Sequence, residues 1–396
     1  MLSLDVTLQI QGSVLLESLS RRSCDVGGKS RSCRRLRSGE QESAMLPFPL
    51  VHREDFYLPF GEAHVFPGVK YSRIRQRLLQ SGAAREEDFL GCERIDLADV
   101  LRVHEAGYVE RLLNGTLSMM EIRRMELPYS EEIVEATLLG AGGTLLAARL
   151  SCSKGVALSI GGGFHHAHPG HGEGFCILHD VAIALRRLQS DGIIRSAMVL
   201  DLDVHHGNGT AAIFPPCATE PRDDFAAQRA ESIPGNGPEP AKMPLAERLN
   251  CGELTGSALP SRDNVFTVSL HQRNNYPMYK PPSSIDVHLK DGTGDGEYLA
   301  ALDRVLHLAF ARFRPDLLAY IAGADPFAGD QLGGLALSIE GLRQRDRAVF
   351  QAAKDHGVPV FSVYAGGYAH SLEDTVSIHV NTVLAAAEVF GHSPSV

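Results

Sequence analysis

The sequence predicts an α/β protein, with a single domain built on a mainly parallel β-sheet and helices on both faces. Short apolar runs alternate with segments of helical periodicity from about residue 130 onward. The apolar runs are continuous rather than alternating, which is typical of strands buried on both faces. At 396 residues and 44% hydrophobic content, the chain can bury a large core.

Each element follows from a local pattern. Strands are predicted where apolar residues run continuously, at 155–160, 197–203, 265–270, 317–322 and 358–364. Helices are predicted where apolar residues recur at helical spacing, at 131–150, 181–188, 297–313, 340–354 and 375–390. Parallel sheets bind their ligands beyond the carboxyl ends of the strands, so we expect functional residues in the loops that follow them.

Composition limits the partners. The formal net charge of −10 argues against a nucleic-acid backbone as ligand, because phosphate binding needs clustered Lys and Arg. Seven cysteines without a Cys-x-x-Cys pair fit a reducing compartment, so we expect a cytoplasmic protein, or a nuclear one if it is eukaryotic. No apolar run approaches the roughly 18 residues that span a bilayer, so no membrane partner is expected. These patterns leave the oligomeric state open.

The chain divides into an extension and one domain. Residues 1–44 are rich in Ser and Arg and are predicted to be disordered; Asp5, Glu17 and Asp25 disfavour the alternative of an organelle-targeting leader. Residues 45–396 form the predicted domain. Within it, the segment at about 215–263 is rich in Pro, Gly, Ala and charge, which predicts an irregular inserted loop.

The run DLDVHHGNG at 201–209 predicts a metal site. Alternation along a strand would point Asp201, Asp203 and His205 the same way, and two carboxylates with an imidazole are metal ligands. Asp325, which follows another predicted strand in GADPFAGD at 323–330, is placed to be a third ligand. The alternatives are a solvated acidic loop and a turn-forming aspartate.

Two more glycine-containing loops follow predicted strands. The loop GGGFHH at 161–166 projects His165 and His166. A phosphate-binding role for this loop is disfavoured, because neither G-x-G-x-x-G nor a P-loop lysine is present. The loop AGGY at 365–368 would let the Tyr368 hydroxyl approach a reaction centre.

Together these residues indicate metal-assisted hydrolysis. A cation held by Asp203, His205 and Asp325 would activate water and polarise a carbonyl. A neighbouring histidine would move the proton, and Tyr368 would stabilise the oxyanion. No G-x-S-x-G motif supports serine-type acyl transfer.

Four motifs in order, at 161–166, 201–209, 323–334 and 366–368, resemble the zinc-dependent histone deacetylase family of the arginase/deacetylase superfamily. Residues 45–392 carry the resemblance, which is closest to class IV and bacterial class IV-like members. It implies the arginase/deacetylase fold, Zn²⁺ with Fe²⁺ as the alternative, and removal of acetyl or longer acyl groups from acyl-lysine. Two other functions stay open: deacetylation of small acylated amines such as acetylpolyamines, and a catalytically silent acyl-lysine-binding scaffold.

The resemblance also implies a role for each matching residue. His166 matches the general base and acid, His165 its electrostatic partner, and Tyr368 the oxyanion donor. Asp201 lies behind His165, and Asn208 stands where some members carry Asp behind His166. Zinc ligands, substrate-tunnel residues and a structural potassium site are implied in addition. They are Asp203, His205 and Asp325 for zinc, Gly163, Phe175 and Tyr276 for the tunnel, and Asp201, Asp203, His205, Ser269 and Leu270 for potassium.

Two departures bear on the site. The family commonly has Asn before the aspartate that follows Gly-Phe-Cys, whereas this chain has His179 before Asp180, so we expect a local packing change. Arginase-type relatives bind two manganese ions through further aspartates. Phe327 occupies the position two after Asp325, so one catalytic metal is expected.

Overall fold

The structure is a computed structural model that describes residues 46–56, 64–217, 253–255 and 261–391. These residues all belong to one compact unit. The predicted disordered extension at 1–44 and most of the predicted insertion at 215–263 lie outside the described residues.

The described residues form a nine-stranded sheet in the order β2-β1-β3-β9-β8-β4-β6-β7-β5. All neighbouring strands are parallel except β5 and β7. The strands are β1 Leu50–Val51, β2 Phe89–Leu90, β3 Val156–Ser159, β4 Ala197–Asp201, β5 Glu253–Thr255, β6 Val265–Gln272, β7 Ile285–Leu289, β8 Leu317–Ile321 and β9 Val360–Val363. The mainly parallel sheet predicted from the continuous apolar runs is confirmed.

Helices alternate with the strands. They are α1 Lys70–Gln80, α2 Leu97–Val100, α3 Ala106–Leu113, α4 Met119–Met125, α5 Glu131–Lys154, α6 Asp180–Ser190, α7 Asn208–Ile213, α8 Asp295–Arg312, α9 Ile339–Asp355 and α10 Leu372–Phe390. Local sequence fixes several starts: the Ser130 hydroxyl accepts from the Ile133 amide at α5, and the Ser338 hydroxyl from the Gly341 amide at α9.

The core lies on both faces of the sheet. Every residue of β3, β4, β6, β8 and β9 is buried. Because successive strand residues point to opposite faces, both faces must be covered. Helices on both faces, as predicted, are therefore confirmed.

Three expectations need correction. The strand predicted at 197–203 ends at Asp201, so Asp203 and His205 lie in the following loop and strand alternation does not orient them. The segment predicted to be irregular contains β5, which pairs with β7. Strands β1, β2 and β7 were not predicted, because β1 and β2 are two residues long and polar Asp286 and His288 interrupt β7.

One helix bears on the expectation about membranes. By length and mean hydropathy, α5 could cross a bilayer, so the expectation that no segment is long and apolar enough was wrong. However, 72% of its most apolar window is buried inside the fold. That burial is what a core helix of a globular domain shows.

Candidate metal centre and active site

Three side chains meet beyond the carboxyl ends of neighbouring strands β4 and β8. Asp203 and His205 follow β4 and Asp325 follows β8; all three are buried, with ligand atoms within 4.8 Å of one another. His205 Nδ1 lies 3.0 Å from Asp203 Oδ1 and 3.3 Å from Asp325 Oδ2. Backbone amides hold both carboxylates, since Gly366 N donates to Asp203 over 2.8 Å and Val204 N to Asp325 over 2.9 Å.

These three residues fit a divalent cation. Two carboxylates and an imidazole suit Zn²⁺, and Asp325 Oδ2 accepts no hydrogen bond from the described residues. Burial, together with the Asp203 carboxylate, raises the pKa of Asp325 to about 7, an effect that a bound cation would reverse. Gly366 keeps the space open: a Cβ there would lie 1.9 Å from Asp325 Oδ2 and 2.7 Å from Asp203 Oδ2.

A pair of buried histidines lies beside the metal ligands. His165 Nδ1 is 2.7 Å from Asp201 Oδ2, and His166 Nδ1 is 2.7 Å from Asn208 Oδ1. The two Nε2 atoms are 3.1 Å apart. The structure therefore places Asp201 and Asn208 behind the two histidines, in the arrangement that the resemblance implies.

Electrostatics separates the two imidazoles. Burial opposes a charge on His165, but the Asp201 and Asp203 carboxylates outweigh it and raise its pKa to about 9. Burial, together with the positive charges of His165 and His205, holds the pKa of His166 well below its usual range. The two pKa values therefore shift in opposite directions, and the neutral form of His166, which burial favours, can accept a proton.

A cavity of about 280 Å³, here called the access cavity, leads to His166 and to the proposed metal ligand His205. Its walls are Val65, Glu126, His166, Gly174, Phe175, His205, Tyr276, Leu332 and Tyr368. The rings of Phe175 and Tyr368 are 5.8 Å apart, and those of His166 and Tyr276 are 4.9 Å apart. The sequence-predicted tunnel residues Phe175 and Tyr276 thus share one cavity with Tyr368 and His166.

Gly163 lies at a smaller cavity of about 20 Å³ that is also bounded by His165, His166 and Tyr368. Its φ of +83° is in the left-handed region, and a Cβ would lie 2.9 Å from Ala365 Cβ. Glycine is therefore required where this loop passes the one that carries Tyr368.

The predicted potassium residues lie on adjacent strands. Asp201 of β4 pairs in register with Ser269 of β6, which Leu270 follows, and the Asp203 amide donates to Asp201 Oδ1 over 3.2 Å. The Ser269 hydroxyl contacts His271 Nδ1 at 2.9 Å. Potassium binding stays a prediction.

His179, where a packing change relative to the family is predicted, has well-defined partners. His179 is fully buried and caps α6, accepting from the Ala182 amide over 3.2 Å. Its Nε2 lies 2.9 Å from the Thr210 hydroxyl, and its backbone amide donates to His104 Nε2 over 2.9 Å. The imidazole therefore links α6 to α7, the helix that follows the loop carrying Asp203 and His205.

Two aspartates that hold the site were not predicted. Asp330 accepts from the Tyr368 amide over 2.7 Å, and it ends the same GADPFAGD motif that contains Asp325. Asp180 accepts from the Gly163 and Phe164 amides, each over 2.9 Å, and from the Thr144 hydroxyl over 2.6 Å. Asp180 thus fixes the backbone of the loop that presents the two histidines.

Asp180→Ala should lower the free energy of unfolding by about 3 kcal/mol, because it leaves two buried amides and a buried hydroxyl without an acceptor. Chemical denaturation measures this loss. Asp191→Ala, at the exposed end of the same helix, is the control and should cost less than about 1 kcal/mol. Equal losses in the two variants would contradict the role given to Asp180.

Comparisons with known proteins identify the family. The family model for the histone deacetylase domain matches residues 64–383. An uncharacterized protein of Picosynechococcus sp. is 36% identical over 343 residues, which cover 87% of this chain and 99% of that protein. A protein of Archaeoglobus fulgidus named "Probable deacetylase" is 31% identical over 300 residues, which cover 72% of each chain.

A solved structure supports the fold. An HDAC homologue complexed with SAHA superposes with a TM-score of 0.63 at 19% identity, covering 87% of this chain and 84% of that one. The class IV-like subtype stays a prediction. The family model covers most of the chain, and this chain therefore belongs to the histone deacetylase family, whose members are hydrolases that act on amide bonds.

Proposed function

We propose that this protein is a zinc-dependent amidohydrolase that removes acetyl or longer acyl groups from the side-chain amine of acyl-lysine. The access cavity is the observation that supports this proposal. It is lined by Phe175, Tyr276 and Leu332 together with His166, His205 and Tyr368. A partly apolar passage admits a neutral acylated amine and disfavours a charged ammonium, because desolvating a charge is costly.

Asp203, His205 and Asp325 would hold Zn²⁺, with Fe²⁺ as the alternative. When bound, the ion would lower the pKa of a water molecule and polarise the amide carbonyl. His166 takes a proton from the attacking water as the water oxygen bonds to the carbonyl carbon, and it returns the proton to the amine nitrogen as the amide C–N bond breaks. Tyr368 donates a hydrogen bond to the developing oxyanion.

The remaining polar groups prepare this chemistry. Asp201 and His165 set the electrostatic field next to His166. Asp330 fixes the backbone of Tyr368. A potassium ion at Asp201, Ser269 and Leu270 would neutralise part of the negative charge behind the metal ligands.

A substrate panel tests the proposal. Purified protein with zinc should hydrolyse acetyl-lysine or longer acyl-lysine peptides. Turnover of acetylpolyamines alone would favour small acylated amines instead. Absence of turnover on every acylated amine, in protein that contains stoichiometric zinc, would reject the proposal.

Glu126 supports the second candidate, a deacetylase of small acylated amines. This exposed carboxylate lines the access cavity, where it would attract the remaining ammonium groups of an acylated polyamine. Glu126→Gln should lower kcat/KM for acetylpolyamine about threefold at low salt and much less at high salt. The same change at exposed Glu297 of α8 is the control, and equal effects of both would remove this support.

A further inference from the structure

Asn208 lies between His166 and a carboxylate. Its Oδ1 is 2.7 Å from His166 Nδ1, and its Nδ2 donates to Glu173 Oε1 over 2.7 Å. The same Nδ2 is 3.1 Å from His168 Nε2. The Asn208 amide therefore has one partner, His166, at its oxygen and two partners, Glu173 and His168, at its NH₂ group.

This arrangement dictates how the Asn208 amide is oriented. An ionised carboxylate only accepts hydrogen bonds, so the side that faces Glu173 must be the NH₂ group. The carbonyl oxygen then faces His166 Nδ1, which must donate. A neutral His166 with its proton on Nδ1 has its lone pair on Nε2, the nitrogen that faces His165 Nε2 at 3.1 Å.

Glu173 is itself held in place. Its Oε1 accepts from the Tyr276 hydroxyl over 3.0 Å, and its Oε2 is 3.3 Å from His171 Nε2. Its backbone amide donates to the Cys176 carbonyl over 2.9 Å. Burial opposes ionisation, but the hydrogen bonds from His171, Asn208 and Tyr276 outweigh it and lower the pKa of Glu173 to about 2. The side chain is therefore an anion at neutral pH.

We propose that Glu173 is a positioning residue that orients the Asn208 amide and thereby keeps the proton of neutral His166 on Nδ1. In this chain the Glu173 carboxylate thus does not contact His166 directly, because the Asn208 amide lies between them. The inference rests on the proposed function, in which the Nε2 lone pair of His166 accepts the proton from water.

The tautomer of His166 can be observed directly. In zinc-loaded protein with ¹⁵N-labelled histidine, the His166 signal, assigned by its loss in His166→Ala, should show the proton on Nδ1. Glu173→Ala removes the acceptor and lets Asn208 flip, so the proton should move partly or fully to Nε2. Glu135→Ala, which breaks a surface pair with Arg94, is the control for loss of a glutamate and should leave the signal unchanged.

Kinetics provides the second readout. Glu173→Ala should lower kcat about tenfold, beyond any change in KM that follows from the lost contact with Tyr276. The isosteric Glu173→Gln should have a smaller effect and shows whether the fold tolerates the site.

An Asn208→Asp background separates orientation from structural support. The two oxygens of the introduced carboxylate both accept hydrogen bonds, so either can face His166 and Glu173 no longer has an amide to orient. The negative charge of Glu173 then repels the introduced carboxylate. Glu173→Gln should therefore lower kcat in the natural Asn208 background, and leave it unchanged or raise it in the Asn208→Asp background. The same fold-loss in both backgrounds would reduce Glu173 to structural support and overturn the inference.

The outcomes distinguish the inference from the proposed function. A proton on Nε2 in the natural protein, or on Nδ1 in every Glu173 variant, overturns the positioning role. A shift to Nε2 with undiminished kcat keeps the positioning role and rejects His166 as the proton acceptor of the proposed function.

Discussion

Asp325→Asn is expected to abolish zinc binding and to lower kcat/KM at least about 10³-fold. Asp325 is fully buried, and it is the only one of the three proposed ligands that comes from the loop after β8. Without it, Asp203 and His205 would leave the ion with two protein ligands. Metal analysis of the purified protein, beside kinetics on acylated substrates, measures both effects.

The loss of zinc should not reflect a loss of fold. In metal-free protein the Asp203 and Asp325 carboxylates repel each other, so the Asp325→Asn variant should unfold at no lower denaturant concentration than the metal-free natural protein. Asp286→Asn changes another buried carboxylate, beside His206, and should retain one zinc per chain. Retention of stoichiometric zinc by the Asp325→Asn variant would contradict the role of Asp325 as a ligand.

His166→Ala is expected to lower kcat about 10³-fold while zinc content stays unchanged. Asn208 aligns the His166 imidazole, and this imidazole lines the access cavity beside Tyr276. Removal leaves no described side chain in the same position to move the proton. Steady-state kinetics with parallel metal analysis provides the measurement.

Two variants calibrate the His166 result. Tyr368→Phe removes only the proposed oxyanion donor and should cost about 10²-fold in kcat. His307→Ala removes an exposed histidine of α8 and should leave kcat unchanged. If kcat in His166→Ala stayed within twofold of the natural protein, the proton-transfer role would have to be assigned elsewhere.

The sequence could predict the fold and the metal group because both depend on strands. Buried parallel strands need continuous apolar runs, and their carboxyl ends converge at one edge of the sheet. This convergence brings Asp203, His205 and Asp325 together, although Asp325 lies 120 positions after His205 in the sequence. Strand alternation does not orient Asp203 and His205, because the backbone leaves the strand after Asp201.

The residues that support the site could not be predicted in this way. Asp180 contacts Gly163 across a loop, and Glu173 contacts Asn208 from a segment without helical or strand periodicity. A single carboxylate in a loop has many solvated alternatives, so only the folded backbone identifies its partners. Asp330 is easier to identify from the sequence than Asp180 or Glu173, because it lies in the same motif as the predicted metal ligand Asp325.

The position of bound zinc decides whether Asp203, His205 and Asp325 form the metal site. Among the described residues, two further groups have ligand atoms within 4.8 Å: His168, His171 and Glu173, and His206, His271 and Asp286. A crystal of zinc-loaded protein, measured with X-rays at the zinc absorption edge, would show which group binds. We predict an anomalous peak within about 2.3 Å of ligand atoms of Asp203, His205 and Asp325. A peak at either other group with none at these three residues would contradict the account.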